Sequence, residues 1–296
     1  MIDYRLVSFI SLAKLKNYTK TAEYLNLTQP TITQHIQYLE NFYGVDLVIR
    51  TKRGIHLTAE GKLLLEYAQK IDSLAKGIKR RLENQKNIIK KYNIGATLTI
   101  GEYVLAKILG DYQEEKPNID IALTVQNTET ILKKLDREEI DLGLIEGSFD
   151  TTKYEHKSLK KDRLLLVLAP EHRLADRKSV DLKELLDEKF ILRESGSGTR
   201  SSFEEAILEE GYNIKDLNVQ MEIGNLNVIR TLVVENLGIT VISQEVVKEE
   251  LANNRLVSIP INGVDLEREF NFVYLSHYKS RDFIDEFIDF AIAKID

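Results

Sequence analysis

Apolar residues near the start of the chain recur at the spacing of an α-helix. The first such set, at positions i, i+3, i+4 and i+7, is Leu6, Phe9, Ile10 and Ala13. This spacing places all four side chains on one helical face. A second, short helix is predicted over residues 20–26, because Thr19 suits the N-cap position and Ala22 and Leu25 point inward.

The following segment predicts a third helix with one apolar and one polar face. Thr28 suits its N-cap, and Pro30 is tolerated in a first helical turn. The apolar stripe is Ile32, Ile36 and Leu39, and the polar residues outside it are Gln29, Thr31, Thr33, Gln34, His35 and Gln37. Gln can bond adenine edges and Thr offers a hydroxyl and a methyl, so the pattern favours a helix-turn-helix whose third helix reads the major groove of DNA. An ordinary three-helix bundle with a polar outer face is the alternative.

A basic turn follows between two apolar stretches, residues 45–49 and 55–57. Its Gly54 and its cations predict a β-hairpin that contacts phosphates or the minor groove. A basic hairpin alone is usually a solvated loop, but directly after a helix-turn-helix it indicates a winged helix. The candidate DNA-contacting residues are therefore Thr19, Gln29, Pro30, Thr31, Thr33, Gln34, His35, Gln37, Arg50, Lys52 and Arg53.

Residues 58–92 predict one long helix that begins at Thr58. An apolar seam runs along it in alternating steps of four and three residues: Leu64, Ala68, Ile71, Ala75, Ile78, Leu82, Gln85 and Ile89. This is a heptad pattern. A helix of about 35 residues spans about 50 Å, which is too long to be buried in one small domain. A partner helix is the simplest cover for the seam, and packing against the rest of its own chain is the alternative.

Beyond residue 92 the signals for strands and helices alternate. The predicted strands are 93–100, 119–126, 141–146, 163–169, 190–193, 219–223, 239–242, 256–259 and 270–275. The predicted helices are 101–115, 128–138, 181–186, 199–209, 225–235, 244–251 and 281–295. Alternation of this kind is typical of an α/β fold with a mainly parallel sheet, in which ligands bind outside the carboxyl ends of the strands.

Composition narrows the class of protein. Of the 296 residues, 43% are apolar and 30% are charged, which excludes a disordered or fibrous chain. The absence of Cys excludes disulfides, thiolate nucleophiles and zinc–thiolate sites. There is no apolar run of about 20 residues and no signal-peptide pattern, so we expect a cytoplasmic protein that does not associate with a membrane.

Charge is distributed unevenly along the chain. Residues 1–93 contain 16 Lys and Arg against 8 Asp and Glu, whereas the remainder contains 25 against 39. A basic front on an acidic body favours an anionic polymer as partner, although a chance fluctuation gives the same asymmetry. The basic excess is concentrated in residues 67–93, so charge alone does not locate a nucleic-acid surface.

Three motifs together resemble the LysR-type transcriptional regulators: Ala22 before the turn, Thr28-Gln29-Pro30 at the start of the third helix, and Leu57-Thr58-Ala59-Glu60-Gly61 after the hairpin. The match is dense over residues 4–66 and looser from there to the C-terminus. The resemblance implies a winged helix-turn-helix at 1–58, a linker and dimerisation helix at 59–92, and an effector-binding domain at 93–296. It further implies two α/β lobes like those of periplasmic binding proteins, with lobe I at 93–165 and 268–296 and lobe II at 166–267.

The same resemblance implies the partners. These are double-stranded DNA with a pseudo-palindromic operator, a small effector between the lobes, and further copies of the chain in a dimer or tetramer. We expect no enzymatic activity and no cofactor or metal. The residues identify neither the effector nor whether the regulator activates or represses transcription.

Four strand-to-helix turns coincide with the expected position of the effector. Their candidate residues are Thr97, Thr99, Gln126, Asn127, Thr128, Glu146, Ser197, Thr199, Arg200 and Asn225. Hydroxyls, helix N-termini and one guanidinium indicate a small oxyanion or carboxylate. The alternative is that these residues only cap helices. Glu146 would oppose an anion, unless it contacts a donor on the ligand or a neighbouring Thr.

Two rival classes fail on particular residues. A nicotinamide-dependent enzyme would need a third Gly after Gly196 and Gly198, and position 201 is Ser. A serine hydrolase would need a Gly-x-Ser-x-Gly turn, which this loop lacks. The His residues show no metal-ligand spacing. An exported solute-binding protein would leave the winged helix unexplained.

Overall fold

Three helices, a two-stranded hairpin and a long helix form the N-terminal part of the chain. The computed structural model describes residues 3–51, 54–86, 89–276 and 281–295, and only the backbone of Arg50, Arg81, Gln85 and Lys86. The elements are α1 (Tyr4–Leu15), α2 (Tyr18–Leu25), α3 (Gln29–Tyr43), β1 (Val48–Thr51), β2 (Gly54–Leu57) and α4 (Ala59–Lys86). The predicted winged helix-turn-helix followed by a long helix is confirmed.

Short polar side chains set where these helices begin. Thr28 Oγ1 accepts from the backbone N–H of Thr31 at 3.3 Å, as predicted for the cap of α3. The predicted cap of α2 is wrong by two residues, because Asn17 Oδ1 accepts from the N–H of Lys20 at 3.0 Å. Thr19 lies instead in the first turn of α2, where it is exposed.

The apolar faces of α1 and α3 meet in one small core. It contains Leu6, Phe9, Leu12, Ile36, Leu39, Leu47, Ile55 and Ala68. The wing and the first turns of α4 contribute to this core through Leu47, Ile55 and Ala68. Glu40 fixes the entry to the wing, because its Oε1 accepts from the N–H groups of Leu47 and Val48 at 3.0 and 3.3 Å.

The long helix is shorter than predicted, and its exposed apolar stripe is shifted in the first half. It ends at Lys86, and Lys90 already starts a strand, so the predicted limit at residue 92 is wrong. Leu64 and Ala68 pack against the winged-helix core and do not extend an outward seam. The large apolar side chains exposed along α4 are Leu63, Tyr67, Ile71, Leu74, Ile78 and Leu82.

The C-terminal part alternates strands and helices. Its strands are β3 (Lys90–Ala96), β4 (Ile119–Val125), β5 (Leu142–Glu146), β6 (Tyr154–Leu168), β7 (Phe190–Arg193), β8 (Val219–Ile223), β9 (Thr240–Ser243), β10 (Val257–Ile259) and β11 (Glu267–Leu275). Its α-helices are α5 (Leu98–Tyr103), α6 (Leu105–Glu115), α7 (Thr128–Asp136), α8 (Leu182–Leu185), α9 (Gly198–Glu209), α10 (Leu226–Val234), α11 (Gln244–Ala252) and α12 (Arg281–Lys294). The predicted strand 93–100 is wrong at its carboxyl end, since residues 98–100 already belong to α5.

The sheet is mixed, whereas the sequence predicted a mainly parallel one. β3 pairs in parallel with β4 and β5, and β7 pairs in parallel with β8. β11, however, runs antiparallel to both β5 and β6, and β6 runs antiparallel to β9 and β10. The long β6 pairs with β11 along residues 154–163 and with β9 and β10 along residues 164–168. One strand therefore passes from one sheet region into the next.

Apolar residues on the two sides of that passage form separate cores. One core surrounds β3, β5, β11 and α12, with Ile94, Leu144, Phe272 and Phe287 fully buried. Another surrounds β6, β7 and α9 and contains Leu166, Phe190, Phe203 and Ile207. These two cores confirm a two-lobed C-terminal fold.

Backbone contacts divide the chain into two compact units. One comprises Met1–Ile88 with Asp136–Glu139, and the other comprises Ile89–Leu135 with Ile140–Asp296. Both lobes belong to the second unit. Within the described ranges, no helix is both long enough and apolar enough to cross a membrane.

Candidate functional site

The polar face of α3 is presented outward by the burial of its apolar stripe. Gln29, Gln34 and Gln37 are exposed, as is Pro30 in the first turn, and Thr31 and Thr33 are half-buried. Gln29 Nε2 donates to Thr33 Oγ1 at 2.9 Å, so these two side chains hold each other on the helix surface. The predicted set on α3 thus shares one surface near the start of the helix.

His35 is held from behind by a buried serine. Ser8 is fully buried in α1, and its hydroxyl lies 2.8 Å from Nδ1 of the half-buried His35. Nδ1 is therefore occupied within the protein, which leaves Nε2 as the ring nitrogen that can face a ligand. This contact was not predictable from local sequence patterns, because the two residues are 27 positions apart. Of the predicted wing cations, Lys52, Arg53 and the side chain of Arg50 lie outside the described part of the chain.

In the second unit, the predicted turns converge on Glu146, the last residue of β5. Thr97 Oγ1 donates to the Glu146 carboxylate, and Thr128 Oγ1 donates to the Glu146 carbonyl oxygen at 3.0 Å. Gly198, the first residue of α9, packs directly on the same carbonyl, where an added Cβ would lie 2.1 Å from the oxygen. Three turns that are distant in sequence thus meet at one strand end.

A buried arginine that the sequence analysis missed ties the two lobes together at this point. Arg268 of β11 donates from Nε to Asp162 Oδ2 at 2.8 Å and from an Nη to Thr199 Oγ1 at 3.1 Å. The same Nη lies 3.9 Å from Glu146 Oε1. Ser243 Oγ donates to Asp162 Oδ1 at 2.7 Å. All five residues are buried.

We call these contacting residues the Glu146 cluster, which consists of Thr97, Thr128, Glu146, Asp162, Thr199, Ser243 and Arg268. It contains two carboxylates and one guanidinium, so its formal charge is negative. Local sequence patterns could not predict that Asp162, Ser243 and Arg268 belong to this cluster, because their contacts join positions 69 to 106 residues apart.

Two hydroxyls beside the cluster are buried and have no hydrogen-bond partner among the residues that the structure describes. They are Thr99 Oγ1, in the first turn of α5, and Ser197 Oγ, at the N-cap of α9. Their residues are 0% and 2% exposed. A buried hydroxyl without a hydrogen bond destabilises the folded state by roughly 1–3 kcal/mol, and a bound ligand that accepts from it would remove this cost. Neither side chain caps its helix, which disfavours the capping interpretation for these two residues.

The other predicted effector residues have partners of their own. Asn225 is exposed and caps α10, because its Oδ1 accepts from the N–H of Val228 at 3.0 Å. The Arg200 guanidinium pairs with Glu204 at 2.7 Å and with Glu222 at 2.9 Å. Its charge is therefore already compensated within the lobe.

Two further predicted residues flank the turn before α7. Gln126 is exposed, although its backbone N–H donates to the carbonyl of Ala96 at 3.1 Å. Asn127 Oδ1 accepts from the N–H of Thr130 at 3.0 Å, and its Nδ2 lies 3.4 Å from Glu194 Oε1.

Glu194 follows β7 and carries a perturbed carboxyl group. Burial disfavours its charged form, but the hydrogen bonds and positive charge of Arg193 outweigh burial and lower the pKa of Glu194 below its usual range. The two side chains form paired bonds of 2.9 and 3.1 Å. Glu194 therefore stays ionised beside the turn that carries Ser197. Across the described ranges, no three His, Asp or Glu side chains are grouped so as to hold a metal ion.

Comparison with known proteins places this architecture in a family. The family model described as LysR substrate binding domain matches residues 89–296, and the one described as bacterial regulatory helix-turn-helix protein, lysR family, matches residues 4–62. An uncharacterized HTH-type transcriptional regulator of Methanocaldococcus jannaschii is 34% identical over 288 residues, which cover 96% of each chain.

Solved structures share the fold. The crystal structure of CbnR, a LysR family transcriptional regulator, is 19% identical and covers all of both chains with a TM-score of 0.70. The regulatory domain of Synechocystis PCC6803 CcmR, solved in complex with 2-PG, is 24% identical and matches 67% of this chain and 96% of that domain with a TM-score of 0.60. LysR-type regulators are not enzymes, and they join a DNA-binding helix-turn-helix to an effector-binding domain. The two matched family models, together with the relative that is similar over nearly its whole length, show that the chain belongs to the LysR family of transcriptional regulators.

Proposed function

We propose that this regulator binds a small anionic effector, an oxyanion or a carboxylate, next to the Glu146 cluster. The observation that carries the proposal is the pair of buried, unpartnered hydroxyls of Thr99 and Ser197. Ser197 stands at the N-terminus of α9, a helix of 12 residues, where backbone N–H groups and the helix dipole favour negative charge. Thr199 is fixed beside them by Arg268. An anion that accepts from the hydroxyls would satisfy all of these donors together.

The comparisons support a small ligand in this kind of domain. The Synechocystis CcmR regulatory domain, of similar fold, was solved with 2-PG bound. We propose that Thr97, Thr99, Thr128, Ser197 and Thr199 form the inner part of the site. Gln126, Asn127, Arg200 and Asn225 are proposed for its rim, since each is exposed or half-buried and has a partner of its own.

On the DNA side, we propose that the α3 polar face reads base edges. Gln34 and Gln37 project from it without burial, and His35 is oriented by Ser8. Thr19 and the wing cations Arg50, Lys52 and Arg53 are proposed as contacts to the phosphate backbone, on the sequence alone.

We further propose that α4 pairs two copies of the chain, so that two α3 helices face a pseudo-palindromic operator. The support is the stripe of six large apolar side chains that α4 exposes over 28 residues. Dimer and tetramer both fit such a helix. A regulator of this kind acts where the chromosome is, and we propose a cytoplasmic location.

The effector site is tested by the thermal stability of the full chain in the presence of small anions. We expect inorganic phosphate, sulfate or a small carboxylate to stabilise the protein, by about 2.7 kcal/mol at 100 times the dissociation constant. Thr99→Val and Ser197→Ala should abolish the effect. Thr240→Val is the matched control, because Thr240 Oγ1 is also buried and unpartnered but belongs to β9. Equal responses in the wild type and all three variants would contradict the proposed site.

The DNA surface is tested by selecting bound fragments from a random duplex library and measuring affinity against salt. Gln34→Ala should relax discrimination between selected and random DNA by about 1–3 kcal/mol, whereas Arg53→Ala should weaken binding to both and reduce the salt slope. An equal loss on both kinds of DNA for Gln34→Ala would exclude base reading by that side chain.

A further inference from the structure

The buried charged groups next to the proposed effector site are two carboxylates and one guanidinium. Glu146 and Asp162 are each 1% exposed as side chains, and Arg268 is the guanidinium between them. Arg268 lies much closer to Asp162, at 2.8 Å from both Nε and an Nη, than to Glu146, at 3.9 Å. Arg268 therefore hydrogen-bonds Asp162, whereas it attracts Glu146 without a hydrogen bond to it.

Glu146 also keeps capacity to accept a hydrogen bond. Its Oε2 accepts from Thr97, whereas its Oε1 is 3.9 Å from Arg268, which is beyond hydrogen-bonding distance. An ionised carboxylate has acceptors and no donor. A ligand atom placed against Oε1 must therefore bring its own hydrogen, or two acceptors face each other in a buried site.

The unpartnered hydroxyls belong to residues that are one or two positions from residues in contact with Glu146. Ser197 and Thr199 flank Gly198, whose backbone rests on the Glu146 carbonyl, and Thr99 is two residues from Thr97, which donates to the Glu146 carboxylate. At the proposed effector site, an oxyanion that accepts from these hydroxyls would lie next to a buried acceptor. The donors favour negative charge, and Glu146 favours a hydrogen on the same ligand.

We infer that Glu146 selects effectors whose oxyanion retains a hydrogen-bond donor, such as a phosphate or phosphate monoester that still carries a proton, over fully deprotonated oxyanions such as sulfate. This inference rests on the proposed effector site and names its ligand class. Glu146 acts by accepting the ligand's hydrogen, while Thr99 and Ser197 donate to the other oxygens. Sulfate at neutral pH offers no hydrogen, so its binding leaves Oε1 facing an oxygen.

The discriminating experiment is calorimetric titration of the full chain with inorganic phosphate and with inorganic sulfate at neutral pH and constant ionic strength. We expect phosphate to bind at least about tenfold more tightly, which corresponds to about 1.4 kcal/mol. Glu146→Gln has the same shape and supplies an amide donor, so it should weaken phosphate binding and strengthen sulfate binding until the ratio is lost or reversed. Thr99→Val should weaken both anions, and Thr240→Val should change neither.

The outcomes separate this inference from the proposed site. If neither anion binds the wild type, or if Thr99→Val leaves both affinities unchanged, the proposed anion site itself is refuted and the inference with it. If both anions bind with equal affinity and Thr99→Val weakens both, the site stands and the role of Glu146 is refuted. The wild-type ratio alone decides this point, so the test does not depend on the folding of the Glu146→Gln variant.

Discussion

Replacing Arg268 with methionine is predicted to leave two buried carboxylates without their shared cation. With an effective dielectric constant of about 20, unit charges 3.9 Å and 2.8 Å apart attract by about 4 and 6 kcal/mol. Part of this attraction only offsets the cost of desolvating the three groups. Measured losses on removing one partner of a buried pair are about 3–5 kcal/mol, and we expect Arg268→Met to destabilise the second unit by that amount.

Urea denaturation followed by circular dichroism measures this effect, since the chain contains no Trp for fluorescence. Arg281→Met is the matched control, because Arg281 pairs with Glu155 at a similar 3.0 Å but its side chain is 57% exposed, and little change is expected. Adding Asp162→Asn to Arg268→Met should recover roughly 0.5–3 kcal/mol relative to the sum of the two single variants. Strict additivity, or equal losses for Arg268→Met and Arg281→Met, would refute the assigned coupling.

Three further outcomes follow from features already described. Gly198→Ala should destabilise the chain by about 1–3 kcal/mol and abolish anion binding, because its Cβ would lie 2.1 Å from a carbonyl oxygen. The control Gly110→Ala, in open space on α6, should stabilise the chain by roughly 0.5–1 kcal/mol. A higher melting temperature for Gly198→Ala than for Gly110→Ala would contradict the described packing of Gly198. Ile78→Glu should weaken self-association at least about tenfold in sedimentation experiments, while Lys79→Glu should not; a wild type that is monomeric at all concentrations would exclude pairing through α4. The folded-state pKa of Glu194 is lowered, so its charged form contributes stability that is complete above the unfolded-state pKa and is lost as pH falls through the folded-state pKa. Glu194→Gln should therefore reduce the loss of stability on the acid side of the stability–pH curve. An unchanged loss would argue against a contribution from Glu194.

Features set by local chemistry were predictable from the sequence. Thr28 and Thr58 cap α3 and α4 as expected, because a hydroxyl at the N-cap needs only the next turn of its own helix. Thr19 was misjudged, since Asn17 two residues earlier is an equally good cap and sequence alone does not rank them. The apolar stripe of α3 was correct because one periodic face suffices to identify it.

Features set by distant contacts were not predictable. The first half of β6, residues 154–162, is rich in Lys and other polar residues, and it becomes a strand through its pairing with β11 more than 100 residues away. That same pairing introduces the antiparallel order and brings Arg268 to Asp162. In α4, the heptad spacing identified Ile71, Ile78 and Leu82, but which neighbours face inward depends on the winged helix that packs against the first turns.

The position of Asp162 along β6 has a mechanical consequence. Residue 162 still pairs with β11, and residue 164 already pairs with Ser243 of β9, so the strand exchanges one sheet for the other within two residues. Rotation of the lobes about this strand would twist the backbone at the point where the Arg268 guanidinium is anchored. Ligand recognition at the proposed effector site and hinge bending would then act on the same few atoms, and no relay through the protein interior would be required to connect them.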